Sequence, residues 1–315
     1  MAGAGRTPNP FPGGGRIYRH PRSGMPWSRA YTVYVPYGLR RTTRAPLVMA
    51  LHGCNQSAQD FAAITRFNQL ADRHQFLVVY PEQSRINNGQ VCWNWPQPQH
   101  QKRYGGEPAA LAGIVQRMMA DRTRWRVDPT RVYAVGLSAG GTMAMTLGAT
   151  YPDVFAAVGA HSAPPYRSAS SSTQAISAMQ GRRLTPPPPP PHEARVLPPT
   201  VLFQGSLDGT VWPANAQKIA DQWLAHHQAA GFGAARLGSP REVKRPLARP
   251  WTKTSARGYS VRRWSAGRDR LLEVWLVDGL GHAWSGGAAD FAFSDRRGPR
   301  ATTEIWRFLS RHALG

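Results

Sequence analysis

Acidic residues are scarce in this chain of 315: seventeen Asp and Glu stand against thirty-nine Lys and Arg, a formal net charge of +22. Such a surplus raises the question of a polyanion partner, nucleic acid or an anionic surface. Lysine is nearly absent too, confined to Lys102, Lys218, Lys244 and Lys253, so the cations are arginines scattered from Arg6 to Arg311 with no long basic block. Scattered arginine is as readily a habit of composition as a binding surface, and no specific nucleic-acid partner is expected from it. Cysteine is limited to Cys54 and Cys92, too few for a disulfide framework or a four-cysteine zinc site but enough for one bridge. No apolar run approaches the roughly 18 residues that a membrane helix needs, so membrane insertion is not expected. The N-terminal stretch MAGAGRTPNPFPGGGRIYRHP lacks the apolar centre of an export signal, which fits either a cytosolic protein or a mature form.

What is present is enough apolar sequence, 41%, for one sizeable core. Residues 1–30 are rich in Gly, Pro and Arg without periodicity and read as a flexible arm. Short continuous apolar runs of the buried-strand type follow at Tyr31–Pro36, Leu47–Leu51, Phe76–Tyr80, Val132–Val135, Ala156–Ala160, Val201–Phe203 and Leu272–Val277. Helical spacing separates most of them, over Gln59–His74, Ala109–Arg122, Ser138–Thr150, Ala214–His227 and Thr302–His312. That alternation predicts an α/β domain over 31–315, with a mostly parallel central sheet and helices on both faces. Tyr259–Trp264 and Leu271–Val277 read as an antiparallel hairpin. Two stretches break the rhythm, 162–199 with its six prolines Pro186–Pro191, and the basic 231–257; both read as surface insertions, with lids over a cleft as the functional alternative.

The strongest local signal is Gly136-Leu137-Ser138-Ala139-Gly140, placed between a strand and a helix. There a G-x-S-x-G forms a sharp turn that lifts the serine hydroxyl above the sheet, next to a helix N-terminus. A serine hydroxyl needs an imidazole base, and the base a carboxylate to orient it. Asp208 follows the strand Val201–Phe203 and His282 follows Leu272–Val277, so the order Ser, Asp, His places all three in loops at one sheet edge. Asp278 reads as a turn residue, and His74, His226 and His227 as solvated or packed helical residues. His161 reads as a structural or cleft-lining imidazole. An oxyanion needs N–H donors, for which Ala139, after the serine, and Cys54, in Leu51-His52-Gly53-Cys54, are the candidates. Cys54 and Cys92 fall in loops at this same edge and can either bridge or remain two buried thiols; a bridge would argue for an oxidising compartment. Trp93, Trp95, Trp212 and Trp284 flank the proposed catalytic loops as candidate substrate walls, together with His161, although some of these tryptophans read equally as core.

The segments Leu51–Ala62 (LHGCNQSAQDFA), Phe76–Gln83 (FLVVYPEQ), Cys92–Trp95 (CWNW), Gly136–Gly141 (GLSAGG), Asp208–Pro213 (DGTVWP) and Gly281–Gly287 (GHAWSGG) resemble the polyhydroxybutyrate depolymerase family of α/β-hydrolase esterases, relatives of the feruloyl and acetylxylan esterases. The resemblance implies Ser138, Asp208 and His282 as a triad, the Cys54 loop as part of the oxyanion hole, and a Cys54–Cys92 bridge in an exported enzyme, hence an extracellular or periplasmic location. The acyl-enzyme chemistry of such a triad needs no metal or organic cofactor, and a monomer is expected. The departures are Ala163 where the family often has glycine, and the proline run. The expected substrate is poly(3-hydroxybutyrate) or its oligomers, with a feruloyl, aryl or aromatic-polyester ester second. From a different class, a catalytically inactive basic binding protein using Arg236–Arg270 and the N-terminal arm is the competing expectation.

Overall fold

In the computed structural model, residues 11–22, 28–182, 197–229, 240–245 and 256–315 are described. Ten strands form one sheet: β1 (Arg16–His20), β2 (Ala30–Val35), β3 (Ala45–Leu51), β4 (Leu77–Glu82), β5 (Val127–Leu137), β6 (Ala157–His161), β7 (Thr200–Gly205), β8 (Arg241–Arg245), β9 (Tyr259–Ala266) and β10 (Asp269–Val277), in the spatial order β1-β2-β4-β3-β5-β6-β7-β10-β9-β8. The six strands from β4 to β10 in that order run parallel, and antiparallel pairs close both sides. The mostly parallel sheet read from the apolar runs is therefore present, as is the hairpin of β9 and β10.

Side chains alternate across the sheet, so each central strand feeds two cores. Leu47, Met49 and Leu51 of β3 pack on one face with α3 (Gly106–Ala120), α4 (Ala139–Thr150) and α6 (Ala214–Ala229). Val48 and Ala50 pack on the other with α1 (Ala58–Thr65), α2 (Phe67–His74) and α7 (Ala301–Leu309). Every residue of α4 is buried, which suits the helix that leaves the serine turn at the centre of the sheet.

The structure departs from the sequence reading in three places. The expected arm contains β1, paired to β2 from Arg16↔Val35 to His20↔Tyr31, with Phe11 buried beside Tyr80; residues 1–10 and 23–27 lie outside the described residues. Of the two expected insertions, 162–199 carries α5 (Ser172–Met179) and 231–257 carries the edge strand β8, while the proline run lies outside the described residues. The helix read over Gln59–His74 is two helices, broken at Arg66 with φ 57° and ψ 29°. The break has a cause: the Ile64 carbonyl accepts the Ala288 N–H at 2.9 Å and the Thr65 carbonyl accepts the Thr302 hydroxyl at 2.5 Å, acceptors that a continuous helix would spend on its next turn.

A left-handed conformation costs an L-residue about 1–2 kcal/mol, most for a β-branched side chain, whereas glycine, without a Cβ, adopts it freely. Arg66→Gly is therefore expected to raise stability by up to about 1–2 kcal/mol, the cost Arg66 already bears, and Arg66→Val to lower it; urea unfolding of both variants checks the sign.

Candidate active site

β5 ends at Leu137, and Ser138 takes φ 56° and ψ −122° before α4 begins at Ala139. Positive φ is a strained state for serine, held here because its N–H donates to the His161 carbonyl at 2.9 Å and its carbonyl accepts the Thr142 N–H at 3.0 Å. The turn presses against the loop after β3: a Cβ on Gly140 would lie 2.2 Å from the Leu51 carbonyl oxygen, which is why glycine stands there. A Cβ on Gly53 would lie 3.6 Å from that of Ser138, so the Gly53-Cys54 loop flanks the serine directly.

Asp208 and His282 sit on loops that are bonded to one another. Ser206 N–H donates to the Val277 carbonyl and Leu207 N–H to the Leu280 carbonyl, both at 2.9 Å, and Gly279 N–H donates to Ser206 Oγ at 2.8 Å. Between the loops, His282 Nδ1 lies 2.9 Å from Asp208 Oδ2 and 3.1 Å from Oδ1. The buried carboxylate also accepts Thr210 N–H at 3.0 Å, Val211 N–H at 2.8 Å and Gln204 Nε2 at 3.3 Å. Burial alone would raise the Asp208 pKa, but the bonds from His282, Val211 N–H and the Ser162 hydroxyl outweigh it and hold the carboxyl below its ordinary value. An ionised Asp208 can only accept, so the shared proton sits on His282 Nδ1 and leaves Nε2 as the basic nitrogen.

The Cys54 amide is oriented by a buried histidine. Gln83 N–H donates to His52 Nε2 at 3.1 Å, so Nδ1 carries the proton and donates to the Gly53 carbonyl at 2.8 Å. In a trans peptide the carbonyl and the following N–H point opposite ways, so capture of the Gly53 carbonyl directs the Cys54 N–H away from His52. Among the described residues no acceptor takes that N–H. The Ala139 N–H is one of the free donors of the first turn of α4.

A cavity of about 530 Å³ lies over these groups, and both Ser138 and His282 line it. Its walls come from the loops after β3 and β4, from α5 and from Phe293, and among its described lining residues none is Asp, Glu, Lys or Arg. The supposed surface insertion thus supplies one wall, through Ala175, Ile176 and Met179. Of the candidate substrate residues, Trp93 and Trp95 reach the wall although both are largely buried. Trp212 is exposed but stands outside the lining. Two candidates need correcting. Trp284 is fully buried, with Phe61 and Phe67 edge-on to it and its Nε1 donating to Thr302 Oγ1 at 3.0 Å, so it is core. His161 is fully buried behind the site: Ser285 N–H donates to Nε2 and Nδ1 donates to Ser162 Oγ, both at 3.1 Å, and Ser162 in turn supports Asp208. Its ring is spent on holding the acid, leaving no atom for a substrate.

Sequence reasoning missed the anchor of the cavity wall. Glu107, fully buried in the first turn of α3, forms an ion pair with the equally buried Arg29 at 2.7 Å. The same carboxylate accepts Asn94 N–H at 2.7 Å, Asn94 Nδ2 at 2.8 Å and Gln83 Nε2 at 2.5 Å, while Gln83 Nε2 also donates to the Cys92 carbonyl at 2.9 Å. A disulfide joins Cys92 to Cys54, as expected, so the wall and the oxyanion loop are one covalent unit. A lone glutamate just ahead of the helical pattern over Ala109–Arg122 was the only available signal.

Residues 29–246 match the family model described as esterase PHB depolymerase. The poly(3-hydroxyalkanoate) depolymerase C of Paucimonas lemoignei is 32% identical over 86% of the chain, and the chain spans 59% of the length of that relative. Acetylxylan esterase A of Emericella nidulans is 27% identical over 82% of the chain and 81% of its own length, and feruloyl esterase B of Thermothelomyces thermophilus is 30% identical over 61% and 68%. Among solved structures, an acetyl xylan esterase from Aspergillus awamori superposes with a TM-score of 0.70 at 20% identity, covering 94% of this chain and 99% of that one, which shows the shared α/β-hydrolase fold.

Burial lowers the His52 pKa to about 4 and that of His161 to about 3. Both imidazoles are neutral when folded, whereas the unfolded chain protonates them below pH 6.5. Their contribution is thus complete above pH 6.5 and is lost towards pH 4, at up to about 1.4 kcal/mol per pH unit for each ring. Unfolding free energies from urea titrations at pH 7, 6 and 5 are expected to fall in that order, and His161→Gln to flatten the slope.

Proposed function

The chain belongs to the esterase PHB depolymerase family, and from that membership we propose that it is a serine carboxylic-ester hydrolase whose machinery is Ser138, His282 and Asp208. The observation that carries this reading is the convergence of a strained serine and an Asp208-bound imidazole on one uncharged cavity. Ser138 Oγ attacks the ester carbonyl while His282 Nε2 takes its proton, and Asp208 holds the tautomer and stabilises the imidazolium. The Cys54 and Ala139 N–H groups receive the oxyanion, each such donor being worth about 2.7–4 kcal/mol in the transition state. His282 returns the proton to the departing alcohol, and water then releases the acid by the same route. No step in this scheme calls for a metal or an organic cofactor.

The walls favour a neutral substrate, because a protein of net charge +22 places no cation among their described residues. A polyester chain is uncharged along its length, and poly(3-hydroxybutyrate) or its oligomers is the first choice, in line with the name of the Paucimonas relative. An aryl or feruloyl ester, or an aromatic polyester, is the second, favoured by Trp95 and by Phe293, whose ring stands edge-on to that of His282 at 6.3 Å. The same uncharged walls weigh against an inactive binding protein for polyanions at this site. The Cys54–Cys92 disulfide supports action outside the reducing cytosol.

Ser138→Ala is expected to abolish hydrolysis of p-nitrophenyl butyrate without altering the unfolding midpoint, and Asp208→Asn to lower kcat by several orders of magnitude with a small change in KM. Substantial activity in Ser138→Ala would refute the assignment. Rates on hydroxybutyrate oligomers, methyl ferulate and an aromatic polyester film rank the substrates.

A further inference from the structure

The arginines are scattered along the sequence, but the fold gathers some of them at the end of the sheet opposite the active site. Ser138, Asp208 and His282 follow the carboxyl ends of parallel strands, whereas Arg44 and Arg126 stand immediately before the amino ends of β3 and β5. These strands are parallel neighbours, and each arginine precedes one member of the registered pair Ala45↔Val127. Ala45 N–H donates to the Arg126 carbonyl at 2.8 Å, which fixes the two positions side by side. Arg122 joins them from the turn after α3, a turn anchored by the buried Trp125, whose N–H donates to the Asp121 carbonyl at 3.2 Å. Together with Met119, Val127 and Pro129, the three arginines line a cavity of about 260 Å³ that shares no residue with the lining of the catalytic one.

The charge gathered there is not offset. Segments 40–44 and 117–131 hold eight arginines against two acids, and both acids are engaged elsewhere: Asp121 pairs with Arg124 at 3.7 Å and Asp128 with Arg131 at 2.7 Å. Among the described residues no ion pair includes Arg44, Arg122 or Arg126. Like charges brought together repel until a counter-charge sits among them. A guanidinium is a planar fork of N–H donors that meets an oxyanion two bonds at a time. A single carboxylate satisfies one fork, whereas three forks around one cavity call for an anion with several charges and many oxygens. We propose that this cavity binds a small anion of linked phosphates, with Arg44, Arg122 and Arg126 as its ligands. The shape favours such a ligand over a nucleic acid, which needs cations laid out along a groove, while these converge on a concavity of about 260 Å³. The apolar parts of the lining, Met119, Val127 and Pro129, lower the local dielectric and strengthen each charged contact.

The test is calorimetric titration of the full chain with sodium tripolyphosphate at about 0.15 M salt, where long-range attraction is screened. Arg44→Gln/Arg126→Gln removes two of the three forks, and Arg241→Gln/Arg245→Gln removes the same charge from β8, five strands away from β5. The parent is expected to bind one tripolyphosphate per chain, the first variant to bind it at least about tenfold more weakly, and the β8 variant to stay within about twofold of the parent. A ligand of the folded state also raises the urea midpoint, a rise expected in the parent and lost in Arg44→Gln/Arg126→Gln. Equal weakening in the two variants overturns the proposal, because net charge alone would then account for binding. Absence of saturable binding by the parent overturns it too, as does equal affinity for citrate, or tighter binding of duplex DNA or phosphatidylglycerol vesicles through the same arginines. If the double variant does not fold, Arg122→Gln makes the same comparison, with the same weakening expected and parent-like binding overturning the site.

Discussion

A carboxylate taken out of water must be fully bonded, and Glu107 is the place where this protein meets that demand. The Arg29 guanidinium neutralises it, and the Asn94 backbone, Asn94 side chain and Gln83 side chain fill its remaining acceptor positions. Removing either partner of such a pair leaves an uncompensated buried charge, which typically costs about 3–5 kcal/mol. The arrangement works as a fixture more than as a source of net stability. It sets the path of the segment from Gln83 to Trp95, and the disulfide passes that setting on to Cys54. The position of a candidate oxyanion donor is thus determined in part at α3, on an element that contributes nothing to the cavity itself.

Two further constraints complete the frame. The Asp208 and His282 loops are tied by three hydrogen bonds, and a Cβ on Gly205 would lie 2.2 Å from the Leu280 carbonyl oxygen, so acid and base are carried as one piece. Behind them His161 and Ser162 extend the chain of donors from Ser285 to Asp208. Neutral histidines serve twice as rigid struts in this site. In His52 and His161 alike a backbone N–H bonds to Nε2 and Nδ1 carries the proton, and burial keeps both rings uncharged. Such pre-set donors cost little reorganisation when charge develops.

Much of this was legible in the chain. Buried parallel strands write themselves as short apolar runs, so six of the central strands and the hairpin could be read directly. Chain order and strand ends were enough to bring Ser138, Asp208 and His282 to one edge, because a parallel sheet carries all its carboxyl ends on one side. The helix break at Arg66 was not legible, because its cause lies in Ala288 and Thr302, more than two hundred residues away. Trp284 and His161 were left open between core and cavity for a related reason: sequence shows that a residue follows a strand but not which of the two it faces. The strand β1 hid in a stretch whose glycines and prolines spoke for a loop, although Ile17 and Tyr18 pair regularly with β2. Glu107 was invisible because burial of a charge depends on partners from two other segments, Arg29 and the stretch from Gln83 to Asn94.

The absence of charge from the described cavity walls also bears on what leaves the site. Ester hydrolysis begins with a neutral molecule and ends with an anion. A wall carrying arginine would grip that anion and slow its escape, whereas walls of amide, aromatic and aliphatic groups give the carboxylate less than water does. The cations among the described residues lie outside these walls and would act on an anionic product only from there, as a field that draws it outward. On the proposed reading, turnover is thereby made directional by solvation: entry is favoured for a neutral ester, and exit for its charged product.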